Sequence, residues 1–123
     1  MNRARCLIGL LALAAVTGTF GAAAAPHSVS ECREGGDFIR NAALARDGGT
    51  TREFFVGRLE EDFVTIRAFP AALRWFVRDE EDEKFLRAEV ESVFDAPANS
   101  EQHRARFLES CVRRAGHPTS SGG

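Results

Sequence analysis

Residues 28–49 read SVSECREGGDFIRNAALARDGG, and this stretch decides the fold. Ser28 and Glu31 stand in the Ser-x-x-Glu spacing of a capping box, so a helix opens at Ser28. Cys32, Gly36, Ile39 and Ala43 follow at helical spacing and make an inward stripe of small residues. Gly35 and Gly36 each weaken the helix by about 1 kcal/mol relative to Ala. On a buried face the pair would let a second helix approach closely. Gly48 and Gly49 end the segment as cap and turn.

Upstream, residues 1–24 read as a secretory signal peptide. Arg3 and Arg5 form a positive start, Leu7 to Phe20 an apolar run, and Gly21 to Ala25 the small residues of a cleavage site. Ala22-x-Ala24 places the cut after Ala24, because a cut after Ala25 would put Pro26 on the scissile bond. The apolar run is about long enough to span a bilayer, but it lacks a stop-transfer charge cluster, so no stable membrane insertion is expected after cleavage. Cys6 precedes the run and lacks the position of a lipid-bearing cysteine. The expected organisation is a leader over 1–24, a helical domain over 25–116 and a disordered Ser/Gly-rich tail over 117–123.

Export sets the reading of the cysteines. Beyond the leader only Cys32 and Cys111 remain, and an exported chain meets the compartments where disulfides persist. A metal or redox site would need a CxxC spacing or a nearby His set, and neither is present. The expected disulfide closes nearly the whole domain, which loop entropy values at about 4–5 kcal/mol.

Downstream, every segment reads as helix. Thr50 and Glu53 suggest a second capping box, with Phe55, Leu59, Phe63 and Ile66 as the inward stripe and Val56 alongside. Phe69-Pro70 breaks that helix, and Pro70 suits the first position of another over Ala71–Arg78. Asp79 caps a helix with an acidic, solvated first turn and a buried face of Phe85, Leu86, Val90, Val93 and Phe94. Asp95-Ala96-Pro97 stops it. Asn99 with Gln102 opens the last helix, whose inward edge is assigned to Arg104, Phe107, Leu108, Cys111 and Val112. The fold class is therefore all-α: a small bundle of four to five short antiparallel helices closed by one disulfide.

Functional signals are few. The formal charge of −2 becomes about −4 without Arg3 and Arg5, and no basic stripe forms, so nucleic acid is not an expected partner. Asp79 to Glu83 lacks the ligand alternation and turn glycine of a calcium loop. Ser100 and His103 share a helix face without an orienting group or oxyanion site. His27 and His117 fall in the expected flexible ends. No catalytic, metal or cofactor residues are assigned and no cofactor is expected. Arg74-Trp75-Phe76-Val77-Arg78 stands out, because Trp and Arg are enriched at interface hot spots. Arg74, Trp75 and Arg78 are the candidate interaction residues. The competing reading has Trp75 or Phe76 filling the core while the arginines pair with acids.

Cys32, the helix end Ala43-Leu44-Ala45-Arg46-Asp47-Gly48 and Cys111 together resemble small exported helical proteins of proteobacteria. In those an early Cys precedes an A-x-x-R-x-x-G-like helix end and a late Cys closes the domain. The matching residues here are Ala43, Arg46 and Gly49 or its neighbour Gly48. The resemblance implies an envelope address and no particular activity, and it carries over no functional residue. The expected function is a non-catalytic periplasmic or secreted domain that binds an envelope protein. The rival expectations are an acid-stress holdase and an immunity protein that neutralises an envelope toxin.

Overall fold

A computed structural model describes residues 26–116. The expected leader and tail, His117 included, lie outside the described residues. Four helices run in order: α1 Val29–Asp47, α2 Arg52–Arg67, α3 Glu80–Asp95 and α4 Ser100–Gly116. Among the described residues there is no strand, and the all-α expectation is met.

Local chemistry sets each boundary. Ser28 and Glu31 form the expected reciprocal box at the start of α1. At its end Thr50 N–H bonds back to Ala45 O and Gly49 N–H to Arg46 O, while Gly49 takes a φ of +100°. This Schellman closure needs a left-handed residue, which glycine supplies without steric cost. It also recruits Thr50 into the end of α1. The cap of α2 is therefore Thr51, whose hydroxyl accepts from Phe54 N–H, and not the expected Thr50 with Glu53. Asp79 caps α3 by accepting from Asp82 N–H, and Asn99 and Gln102 cap α4 reciprocally.

Ion pairs between helices give the topology. Arg67 pairs with Glu83, Arg87 with Glu60 and Arg52 with Asp95, so α2 and α3 are antiparallel. Along α1 and α4, Cys32 meets Cys111, Asp37 meets Arg104 and Arg40 meets Glu101, again antiparallel. The Cys32–Cys111 disulfide is formed, with Cα atoms 5.7 Å apart. The start of α1 thus lies beside the end of α4, as the positions of the cysteines suggest.

The core is Ile39, Phe63, Leu86, Val90, Val93, Phe107 and the disulfide, all essentially without solvent exposure. In α4 the buried stripe is His103, Phe107 and Cys111. Arg104 is only half-buried and Val112 is exposed, so the expected inward edge is corrected by a rotation of the helix. Once the disulfide turns Cys111 inward, residues four and eight positions earlier share its face.

The glycine pair in α1 does allow close approach, and the two glycines differ. A Cβ on Gly35 would lie 2.6 Å from Phe107 Cε1, whereas one on Gly36 would meet nothing closer than 3.5 Å. Phe107 is fully buried and packed against the rings of Phe76 and Phe85, so any shift disturbs the core. Gly35→Ala is therefore expected to destabilise by about 1–2 kcal/mol, overpacking outweighing the gain in helix propensity. Gly36→Ala should stabilise by roughly 0.5–1 kcal/mol. Urea midpoints of the two variants moving in opposite directions is the expected result.

Candidate interaction surface

Residues 68–79, between α2 and α3, carry all three candidate interaction residues. The expected helix over Ala71–Arg78 does not form. Only a single 3-10 turn, Ala71–Leu73, is present, and the chain then runs irregularly to the Asp79 cap. The reason is tertiary. Phe76 and Val77 are both drawn into the core from a tight turn. Phe76 sits between the rings of His27, Phe85 and Phe107 at centroid distances of 4.0, 6.3 and 5.7 Å. Its φ is +25°, a strained value for a residue with a side chain, and Val77 N–H bonds to Trp75 O to close the tight turn around it.

The turn sets the fates of the neighbouring side chains. Phe76 fills the core. Trp75 is 37% exposed and lies across Phe38 at 5.5 Å, so its reading as core material is corrected. Arg74 does not pair with acids: its guanidinium donates to Phe69 O, Arg78 O and Arg67 O, and so ties the connector together. Arg78 reaches Glu31 of α1 at 3.4 Å. The three candidates are brought into one connector, with both arginines engaged in holding it and Trp75 at the surface.

Trp75 forms one wall of a shallow apolar groove of about 260 Å³, completed by Phe38, Leu59 and Ile66 among others. Asp62 is the one charged lining residue. Its neighbours Glu60 and Glu61 are neutralised by Arg87 and Arg58, while Asp62 takes part in no ion pair among the described residues. Farther along the same connector Phe69 and Leu73 are exposed, Leu73 to 72%.

No family model, curated protein or solved structure matches this chain. Its surface must be read from its own chemistry.

Two other clefts hold ionisable groups. One, of about 370 Å³, is walled by Arg67, Arg74, Lys84 and Arg87 with Asp79, Glu80 and Glu83. Its cations are engaged, Arg67 with Glu83, Lys84 with Glu80 and Glu81, Arg87 with Glu60, and Arg74 with backbone carbonyls. The other, of about 340 Å³, contains Glu89, Ser92, His103 and Ser110. Burial pushes the Glu89 carboxyl above its ordinary value. Burial, seconded by the Arg46 charge, holds His103 below its own. His103 Nε2 lies 3.2 Å from Ala96 O and 3.3 Å from Arg46 Nη1, a position that joins α4 to the end of α3. Ser100 does not line this cleft. Among the described residues no three His, Cys, Asp or Glu side chains gather to hold a metal ion.

Several residues with important positions escape a reading by composition. Asp82 and Glu83 are only 4% and 5% exposed, so the expected solvated first turn of α3 is half wrong. Arg67 hydrogen-bonds Glu83 and holds its carboxyl below the ordinary value against the opposing effect of burial. His27, expected in a flexible end, is buried on Phe76 with Nε2 2.6 Å from Phe76 O. The available signal was its place just before the Ser28 cap, where a side chain often packs back on the helix.

Proposed function

We propose that this chain is an exported, non-catalytic domain that binds a polypeptide partner in its own compartment through the Trp75 groove. The observation that carries the reading is a half-exposed Trp on a connector braced from behind by Arg74. A rigid aromatic beside an apolar recess is the usual form of an interface anchor. Export is supported by the buried disulfide, which would not persist in a reducing cytoplasm. No helix among the described residues is long and apolar enough to cross a membrane.

The lining of the groove supports a partner of particular chemistry. Its walls suit one aliphatic or aromatic side chain. Asp62, which lines the groove and takes part in no ion pair among the described residues, suits an Arg or Lys next to that anchor.

The test is capture of the partner from envelope extract on the oxidised domain, followed by titration of the purified partner. Trp75→Ala is expected to weaken binding by at least tenfold, and Asp62→Arg to do the same by charge reversal. Arg113→Ala on α4 should leave affinity unchanged. The proposal fails if nothing is retained beyond an unfolded control, or if folded Trp75→Ala binds as tightly as the wild type.

A further inference from the structure

The connector that presents Trp75 has little regular hydrogen bonding of its own. What fixes it is a set of polar clamps, some ending on backbone carbonyls and others on, or backed by, carboxylates. Asp82 accepts from Arg78 N–H at 3.0 Å with one oxygen and from Arg114 of α4 at 2.8 Å with the other. His27 Nε2, which bonds Phe76 O, lies 3.6 Å from the same Asp82 carboxylate. Glu31 of α1 holds the Arg78 guanidinium. Glu83 holds Arg67 of α2, and the Arg67 carbonyl in turn receives Arg74. The charged groups facing Asp82 and Glu83 are thus His27 before α1, Arg67 on α2, Arg74 on the connector, Arg87 on α3 and Arg114 on α4, while Arg78 meets Asp82 through its backbone N–H. Glu60 and Glu80 stand near Arg67. Against these clamps works the strained turn at Phe76.

We propose that Arg74–Asp79 is an acid-released latch: neutralising Glu83 unties Arg67, whose carbonyl receives the Arg74 clamp, and so frees the connector and bares Phe85 and Phe107, while the disulfide keeps α1 and α4 paired. The direction follows from linkage. Glu83 ionises more readily folded than unfolded, so its contribution is present above the ordinary carboxylate range and is lost as pH falls through the folded value. The latch is therefore closed near neutrality and opens below the ordinary carboxylate range. The sulfur bond between α1 and α4 does not titrate in this range, and the contacts among Phe63, Leu86 and Val90 are apolar, so the helical frame outlasts the connector. Because Trp75 walls the groove, opening would also release a bound partner, a consequence that rests on the function proposed above.

The isolated oxidised domain tests the latch without any partner, so its failure is separable from failure of the binding proposal. Trp75 is the only tryptophan, and its emission reports the connector directly. Emission, dye binding to exposed apolar surface and helical circular dichroism are followed from pH 7 to 2. The emission should shift to the red and dye binding rise with a midpoint below the ordinary carboxylate range, with helicity lost only at lower pH. Arg67→Gln removes the cation that holds Glu83 and should raise the midpoint by about one pH unit. If that variant does not fold, Arg67→Lys, which keeps the charge but loses the two-pronged contact with Glu83, provides the same test. Glu61→Gln on the exposed face of α2 should leave the midpoint in place. Loss of helicity together with the emission change, no emission change down to pH 2, or a midpoint indifferent to the arginine variant each overturns the proposal.

Discussion

Replacing both Cys32 and Cys111 by Ala is expected to lower the free energy of unfolding by about 4 kcal/mol. The two residues are 79 apart in sequence, so the bond removes a large share of the unfolded chain's freedom. A domain of this size has a total stability of roughly 5–10 kcal/mol. The loss should appear as a fall in melting temperature on the order of 15–30 °C. Chemical reduction in mild denaturant should have the same effect. In the native state both sulfurs are buried, so reductant reaches them only as the structure opens. Ala is the replacement to use, because a Ser pair would bury two hydroxyls and add their desolvation to the measured difference. The bond matters more here than in an ordinary bundle. It ties the start of α1, whose Gly35 and Gly36 reduce intrinsic helicity, to the last turn of α4. An Ala pair with an unchanged urea midpoint would show that the contact of Phe107 with Gly35 holds α1 on α4 without covalent help.

The parts of the fold that were legible are those governed by local chemistry. The Ser28 box, the glycine end of α1, the Asp79 cap and the Asn99–Gln102 pair depend on residues within one turn, and each formed. So did the pairing of two cysteines. The buried stripe of α4 was misplaced toward Arg104 and Val112, although Cys111, Phe107 and His103 stand four apart and mark the inward face. Treating His103 as a polar bystander hid that pattern. The connector was legible only as a break at Pro70. Whether Trp75 or Phe76 fills the core is decided by the space between α1, α3 and α4, which no periodicity in residues 70–79 records. Burial of Asp82 and Glu83 follows from the same cause. Their partners Arg114 and Arg67 lie 32 and 16 residues away, so adjacent carboxylates looked like a solvated run. The candidate surface was thus recognisable by composition at Arg74, Trp75 and Arg78, while the division of labour among them was not.

Arg46→Met is expected to destabilise by about 3 kcal/mol, since it strands the carbonyls of Val93 and Ala98, both buried residues, while Ala96 O keeps His103. The Arg46 guanidinium donates to Val93 O and Ala96 O at the end of α3 and to Ala98 O in the turn that follows. The last carbonyls of a helix have no partner within it. Asp47 steers the guanidinium through Nε and Nη2 at 3.0 and 2.9 Å. One side chain thus fastens the end of α1 to the turn between α3 and α4. Lys is a poor substitute, because a point charge cannot reproduce the planar fork that reaches three carbonyls at once. The same charge lies beside His103, where it reinforces burial in keeping the ring neutral. A histidine whose folded value is lowered binds its proton more readily in the unfolded chain, so stability falls as pH drops below about 6.5. Arg46→Met should raise the His103 value and flatten that slope, whereas Arg46→Lys should keep much of the slope while still losing stability. Urea unfolding at pH 7 and pH 5.5, with an NMR titration of His103, separates the two roles. If Arg46→Met costs less than about 1 kcal/mol, ordered water is satisfying the α3 carbonyls and the anchoring role is refuted.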